Sequence, residues 1–169
     1  MSLSHPALRD LIKSSFLQYI RDHNLYADVI AGVATGGVPY GALIADSSDL
    51  PFVYVRSQSK GHGRQNTVEG DLQEDQQCVV IEDLISTGAS SMKAVVSLRD
   101  AGAIVNDTIS IFTYGFDQSG ALFLNGDCAL HSLVHYDDMI SEAHRLDYIK
   151  PDQIKELKQW RQSPSTWKA

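Results

Sequence analysis

The feature that most constrains this chain is the run at residues 79–90, Val-Val-Ile-Glu-Asp-Leu-Ile-Ser-Thr-Gly-Ala-Ser. Its first three residues are β-branched and apolar, which is typical of a strand covered on both faces. Glu82 and Asp83 follow where that strand should end, and a small, hydroxyl-rich turn at 86–90 precedes a predicted helix. Ligands of open α/β sheets bind beyond the carboxyl ends of the strands, and N–H groups at the head of a helix attract anions. The run therefore predicts a turn that holds a phosphate beside an acidic pair that holds sugar hydroxyls or a cation such as Mg²⁺.

A second unit of strand, loop and helix precedes this run. A strand is predicted at 28–33, a helix at 38–45, and the loop between them contains Thr35, Gly36 and Gly37. A pair of glycines lets the backbone come close to a ligand. Alone, such a loop is often an ordinary turn. Because the carboxyl ends of parallel strands meet at one edge of a sheet, we expect it to lie beside the first turn and to line the same anion site.

The run at residues 57–66 is polar, glycine-bearing and basic, although the whole chain carries a formal charge of −7. Positive or titratable side chains are supplied by Arg56, Lys60, His62 and Arg64. One interpretation is a solvated hairpin tip. The other is a mobile lid that closes over a polyanion, with the glycines as hinges. The concentration of positive charge in an otherwise acidic chain favours the lid.

These three motifs resemble, in the same order, those of the type I phosphoribosyltransferases, and most closely those of the orotate phosphoribosyltransferases. The resemblance runs from about residue 3 to the C-terminus. It implies an α/β fold, with a mostly parallel sheet, helices on both faces and a flexible hood loop, in one domain at 1–169. It further implies transfer of the 5-phosphoribosyl group from phosphoribosyl diphosphate (PRPP) to orotate. The products would be orotidine 5′-phosphate and pyrophosphate, in pyrimidine biosynthesis.

The resemblance also implies roles for individual residues. Lys60, His62 and Asp83 are the expected catalytic residues: Lys60 with Mg²⁺ neutralises the pyrophosphate, and His62 donates a hydrogen bond to it. Glu82 and Asp83 bind the ribose hydroxyls, and Ser86 contacts orotate. Mg²⁺ is held mainly by PRPP and water rather than by the protein, and the loop with Lys60 and His62 reaches the other subunit of a homodimer. The residues expected to bind PRPP are Thr35, Gly36, Gly37, Arg56, Lys60, His62, Glu82, Asp83, Leu84, Ile85, Ser86, Thr87, Gly88, Ala89 and Ser90.

Departures from the family bear on the base. Family members usually begin about forty residues earlier, with a segment that helps to bind orotate and PRPP, and this chain is expected to lack it. Some relatives place an arginine after the strand predicted here at 108–114, to bind the orotate carboxylate. The residues that follow, from Tyr114 to Asp117, offer none. These two differences suggest a chain that binds PRPP with Mg²⁺ but turns over orotate weakly. Separately, Ser57 stands where many relatives have a second lysine, which removes one possible phosphate contact.

Several alternatives stay open from the sequence alone. They are a phosphoribosyltransferase for another nucleobase, a PRPP-binding regulator without turnover, and a structural α/β domain. The acidic charge argues against nucleic-acid or membrane partners. Two cysteines without metal-ligand spacing indicate a reduced, cytoplasmic protein, and no apolar run is long enough to span a membrane. His131 and His135 have no carboxylate partner in the sequence, so a metal site there is not expected.

Hydrophobic periodicity predicts the remaining elements. Further strands are expected at 52–56, at 69–70 and, near the sheet edge, at 129–135. Further helices are expected from residue 6 to about 23, at 91–99, within 116–126, at 138–146 and at 151–161.

Overall fold

A computed structural model describes residues 2–56, 67–164 and 167. Its strands are β1 (Val29–Val33), β2 (Phe52–Val55), β3 (Val68–Glu69), β4 (Gln77–Ile85), β5 (Ile104–Thr113) and β6 (Ala129–His135). Its helices are α1 (Pro6–Asp22), α2 (Gly37–Ser48), α3 (Ala89–Asp100), α4 (Asp117–Asn125), α5 (Tyr136–Arg145) and α6 (Pro151–Gln162), after a short 3₁₀ turn at Ser2–Ser4.

In the described part of the chain, the strands form one six-stranded sheet in the order β3-β2-β1-β4-β5-β6. All neighbouring pairs are parallel except β2 and β3. β1 and β4 lie side by side in the middle, so their carboxyl ends open at the same edge. The predicted fold class, a mostly parallel sheet with flanking helices, is confirmed, as is the edge position of β6. The predicted hood loop at 57–66 lies outside the described residues.

Two cores cover the two faces of the sheet. Successive residues of a strand point to opposite faces, and in β1 the side chains of Val29 and Ala31 pack with α3 and α4, whereas Ile30 packs with α1 and α2. The first core gathers Met92, Val95, Leu98 and Phe123 against the sheet; the second gathers Phe16, Tyr40 and Ile44. Helices on both faces explain why the central strands are apolar on both sides.

Some predicted boundaries were wrong for identifiable reasons. β5 begins at Ile104 rather than 108, because Asn106 and Asp107 hide the alternation of its first half, in which Val105 is buried. Helix α5 begins at Tyr136 rather than 138. Asp138 lies inside its first turn and caps it by accepting a hydrogen bond from the His135 N–H at 3.1 Å.

Close contact between α2 and β1 sets the position of the α2 head. A Cβ on Gly32 would lie 2.8 Å from the Cα of Val38, and a Cβ on Gly41 would lie 2.7 Å from the Phe52 ring. Because these positions are glycines, the helix rests on the strand at backbone distance. Within the described part of the chain, the helices are too short or too polar to cross a bilayer.

Candidate active site

The two predicted anion loops meet where β1 and β4 end. A methyl group on Gly36 would overlap the carboxylate of Asp83, and its Cβ would lie 2.7 Å from Asp83 Oδ1. A methyl group on Gly37 would overlap the carbonyl of Ile81 and lie 3.1 Å from the Cα of Glu82. The loop after β1 is therefore packed directly against the end of β4, and the two motifs share one cleft.

The side chains of the acidic pair, Glu82 and Asp83, point in different directions in this structure. Adjacent residues of a strand face opposite sides, so Glu82 points to α3 and Asp83 to the head of α2. Glu82 is 5% exposed and accepts hydrogen bonds from Ser91 Oγ at 2.8 Å and from the Asp83 N–H at 3.1 Å. Burial raises the pKa of Glu82 to about 8. Asp83 is exposed beside Gly36, so it is the carboxylate that a ligand in the cleft meets first.

The turn predicted at 86–90 covers only residues 86–88 in the structure, because α3 begins at Ala89 rather than at the predicted residue 91. Gly88 is the N-cap residue with φ +79, a conformation that favours glycine. The Phe123 ring occupies the space that a side chain at this position would need. None of the described side chains caps this helix start, so its first N–H groups remain available to an anion. Thr87 and Ser90 are exposed and Ser86 is half-buried. Their hydroxyls can add donors to the same anion.

Three further residues predicted to bind PRPP have different environments. Leu84 is exposed at the carboxyl end of β4, whereas the side chain of Ile85 is fully buried in the core. Only the backbone of Ile85 can therefore face a ligand. Ala89, the first residue of α3, is exposed.

The loop after β1 leads into the head of α2 in the same way. Thr35 is exposed, the Ala34–Thr35 peptide bond is cis, and Gly36 is the N-cap of α2 without a capping bond from any described side chain. Two helix heads thus converge on one edge of the sheet. The positive ends of their dipoles and their open N–H groups favour a ligand with more than one phosphate.

Arg56 lies at the rim of this cleft. Its Nε is 3.1 Å from Glu69 Oε1, and its N–H donates to the carbonyl of Thr67 at 2.9 Å, so both flanks of the 57–66 run are joined. Arg56 lines a cavity of about 690 Å³ together with Ala34 of the loop after β1 and Ser90 in the first turn of α3. Lys60 and His62 lie outside the described residues, so their predicted roles stay predictions.

One statement from the sequence was wrong. His131 has a carboxylate partner: its Nε2 is 2.8 Å from Asp107 Oδ1 on β5, and its Nδ1 is 3.0 Å from the hydroxyl of Tyr19 on α1. The contact between Asp107 and His131 was not predicted because Asp107 lies before the start of the predicted strand. This cluster lies toward the amino ends of β5 and β6, opposite the cleft, where it links α1 to the edge of the sheet.

The carboxylates suit a metal ion that is held mostly by its ligand. Within residues 2–56, 67–164 and 167, no three His, Cys, Asp or Glu side chains lie close enough to form a metal site. Asp83 offers one exposed carboxylate in the cleft. Mg²⁺ prefers six oxygen ligands and commonly takes several from phosphates and water. The residues present fit Mg²⁺ bound in this way.

A family model for the phosphoribosyl transferase domain matches residues 2–111. The orotate phosphoribosyltransferase of Cytophaga hutchinsonii is 47% identical over 168 residues, which are 99% of this chain and 80% of that protein. The chain belongs to the phosphoribosyltransferase family, among the orotate phosphoribosyltransferases.

Other phosphoribosyltransferases support the same placement. The orotate phosphoribosyltransferase of Porphyromonas gingivalis is 45% identical over 166 residues, covering 98% of this chain and 79% of that protein. The crystal structure of orotate phosphoribosyltransferase from Aeropyrum pernix superposes with a TM-score of 0.77 at 27% identity, covering 88% of this chain and 81% of that one. The fold described above is therefore that of a phosphoribosyltransferase.

Proposed function

We propose that this chain is an orotate phosphoribosyltransferase. It transfers the 5-phosphoribosyl group of PRPP to orotate, forms orotidine 5′-phosphate and pyrophosphate, and serves pyrimidine biosynthesis. The observation that carries the proposal is the 47% identity, over 99% of the chain, to a protein of that name. The cleft supports it because two helix heads and one exposed carboxylate are what a phosphorylated sugar requires.

The reaction displaces pyrophosphate from the sugar and passes through a transition state with oxocarbenium character, as in glycoside chemistry. The turn at 86–90 holds the 5-phosphate through the N–H groups of the α3 head. Asp83 accepts hydrogen bonds from the ribose hydroxyls, and its negative charge favours the cationic sugar. Thr35, Gly36 and Gly37 bind the pyrophosphate at the α2 head.

Glu82 has a second role in this arrangement. Its carboxyl accepts the hydrogen bond from Ser91 in the first turn of α3, so it fixes the head of that helix relative to β4. A ribose contact from Glu82, as the resemblance implies, would require this hydrogen bond to be exchanged for one to the sugar.

The leaving pyrophosphate needs positive charge that the described cleft supplies only in part. Mg²⁺ bound to the oxygens of PRPP would neutralise some of it. Lys60 and His62 supply the rest from the 57–66 run, which in a homodimer reaches the site of the other subunit. The motif Arg-x-x-x-Lys-x-His-Gly and the position of Arg56 at the cavity rim support this assignment.

We place the enzyme in the cytoplasm, without nucleic-acid or membrane partners. Cys78 and Cys128 are both buried and unpaired with each other, which fits a reducing compartment. The acidic charge of −7 disfavours polyanionic partners other than the substrate held in the cleft.

The proposal is tested by measuring pyrophosphate release from PRPP and Mg²⁺ with orotate, uracil, adenine or guanine as the acceptor. We expect release with orotate. Asp83→Asn should lose PRPP binding in a calorimetric titration, whereas the control Asp100→Asn, at the far end of α3, should bind as the wild type does. Release with another base alone would support an enzyme for that base. PRPP binding without release would support a regulator, and unchanged binding by Asp83→Asn would overturn the role of this carboxylate.

A further inference from the structure

The last helix of the chain brings a guanidinium to the loop after β5. The Nη1 atom of Arg161 lies 3.7 Å from the position that a Cβ on Gly115 would occupy. Gly115 has φ +64, a conformation that disfavours a side chain at this point. An arginine at position 115 itself would be strained, and α6 brings one close to this position from another part of the chain.

Arg161 faces the same cavity as the phosphate turn. This cavity, of about 400 Å³, is lined by Thr87 of that turn, by Gly115 and Gln118, and by Arg161 near the end of α6. Among the described residues that line it, Arg161 is the one with a positively charged side chain. The lining also includes one carboxylate, that of Asp117, and Arg161 is the group in this cavity that would attract a negatively charged part of a ligand.

The contacts of the Arg161 guanidinium fix its position and leave some of its N–H donors for a ligand. Its Nη1 donates to Asp137 Oδ2 at 3.0 Å, its Cζ lies 5.9 Å from the centre of the Tyr136 ring, and its side chain is 30% exposed. A guanidinium carries five N–H donors in a rigid plane. One carboxylate partner leaves donors that can form a bidentate pair with a second carboxylate.

The backbone that carries Arg161 is anchored by aromatic packing. The ring of Trp160 lies 5.6 Å from Tyr114, 6.1 Å from Phe116 and 5.6 Å from Tyr136, measured between ring centres. Two of these rings belong to the loop after β5. The helix and the loop therefore form one packed unit, and the guanidinium is positioned before any ligand arrives.

We propose that Arg161 binds the carboxylate of orotate and sets the preference for this base over bases that lack a carboxylate. The inference rests on the proposed function and adds a residue that recognises the base. It accounts for the absence of an arginine at residues 114–117: the fold delivers the same charge to Gly115 from α6. The role is one of specificity, because the carboxylate takes no part in the bond exchange at the sugar.

The test compares Arg161→Gln with wild type in steady-state kinetics. We expect kcat/KM for orotate to fall about 10- to 100-fold, the scale of a lost charge-assisted hydrogen-bonded pair, with PRPP binding within about twofold of wild type. Arg161→Lys, which keeps the charge but not the bidentate geometry, should recover part of the loss. Arg145→Gln is the matched control, because Arg145 pairs with Glu142 on exposed α5.

Asp137→Asn separates a specificity role from a structural one. If Arg161 only ties α6 to α5 through its ion pair, this variant should reproduce the defect of Arg161→Gln. If Arg161 binds the substrate, Asp137→Asn keeps the guanidinium in the molecule and the Trp160 packing keeps it near Gly115, so the KM for orotate should change much less than in Arg161→Gln. Should Arg161→Gln not fold, the Arg161→Lys and Asp137→Asn pair decides by the same comparison.

The two proposals fail differently. Wild-type protein that releases no pyrophosphate with orotate overturns both. Wild-type activity with orotate, together with an Arg161→Gln variant whose kcat/KM is unchanged, overturns only the assignment of Arg161. A loss of PRPP binding in Arg161→Gln equal to the loss of kcat/KM would also overturn it.

Discussion

Glu82 and Asp83 are neighbours in the chain and occupy opposite environments. Alternation along β4 turns Glu82 toward α3, where the Ser91 hydroxyl donates a hydrogen bond to it, and leaves Asp83 exposed in the cleft beside Gly36. Burial favours the neutral form of a carboxyl group. Glu82 and Asp83 therefore differ in burial because they face opposite sides of the strand, although both are carboxylic acids.

We expect the stability of the protein to fall as the pH rises from about 5 to 8, because of Glu82. Its pKa is raised from the ordinary 4.5 to about 8 in the folded state, so between these values the folded chain binds more protons than the unfolded one. The stabilising contribution is complete below the unfolded pKa and is lost as the pH rises through the folded pKa. The slope is at most about 1.4 kcal/mol per pH unit.

Urea unfolding at a series of pH values, for wild type and Glu82→Gln, measures the contribution of Glu82 to the pH dependence of the unfolding free energy. Glutamine keeps an acceptor for Ser91 and does not titrate, so the wild-type curve should fall relative to that of the variant. Glu156→Gln, on the exposed face of α6, is the control and should follow the wild type. Parallel curves for wild type and Glu82→Gln would mean that Glu82 does not titrate as described.

At the scale of elements, the site depends on how closely the head of α2 approaches the end of β4. Two adjacent glycines carry this approach in different ways. Gly36 abuts the carboxylate at the end of the Asp83 side chain, whereas Gly37 abuts the backbone at Ile81 and Glu82. A side chain can move aside, but a backbone in the middle of a sheet cannot move without disturbing its neighbours.

Gly36→Ala and Gly37→Ala should therefore separate binding from folding. Gly36 has φ −73, which alanine adopts readily, so Gly36→Ala should keep its thermal stability and lose at least about tenfold in PRPP affinity, as Asp83 is displaced. Gly37→Ala should cost about 1–3 kcal/mol of unfolding free energy by overpacking. Thermal unfolding and PRPP calorimetry measure the two effects. Equal losses of stability in both variants would contradict this division.

The features that could be predicted from the sequence are those formed by residues close together in the chain. The strand, turn and helix around residues 79–90 could be read because alternation, glycine and helical spacing follow one another. The Asp107–His131 contact could not, because the partners are 24 residues apart and pair only through the register of β5 and β6. Arg161 reaches Gly115 only because α6 folds back over the sheet edge, and no local pattern indicates that return.

At the scale of the whole molecule, the net charge opposes binding of the proposed substrate. The protein is acidic overall, with a formal charge of −7, yet its proposed substrate is a polyanion. Helix heads and a few cations must therefore attract PRPP locally against the net charge. If Lys60 is one of these cations and acts on the site of the other subunit, each complete site needs residues from two chains.

Subunit complementation tests this division. On the proposed mechanism, Asp83→Asn would remove the ribose contact from its own cleft, and Lys60→Ala would remove the cation that its loop supplies to the other cleft. A dimer with one chain of each kind therefore has one site with both defects and one site with neither. When equal amounts are unfolded together and refolded, half of the dimers are mixed, so about a quarter of the sites should be intact. Orotate-dependent pyrophosphate release should recover to that fraction of wild type. If each loop served its own chain, no site in the mixture would be intact, and the activity would stay at the level of the two separate variants.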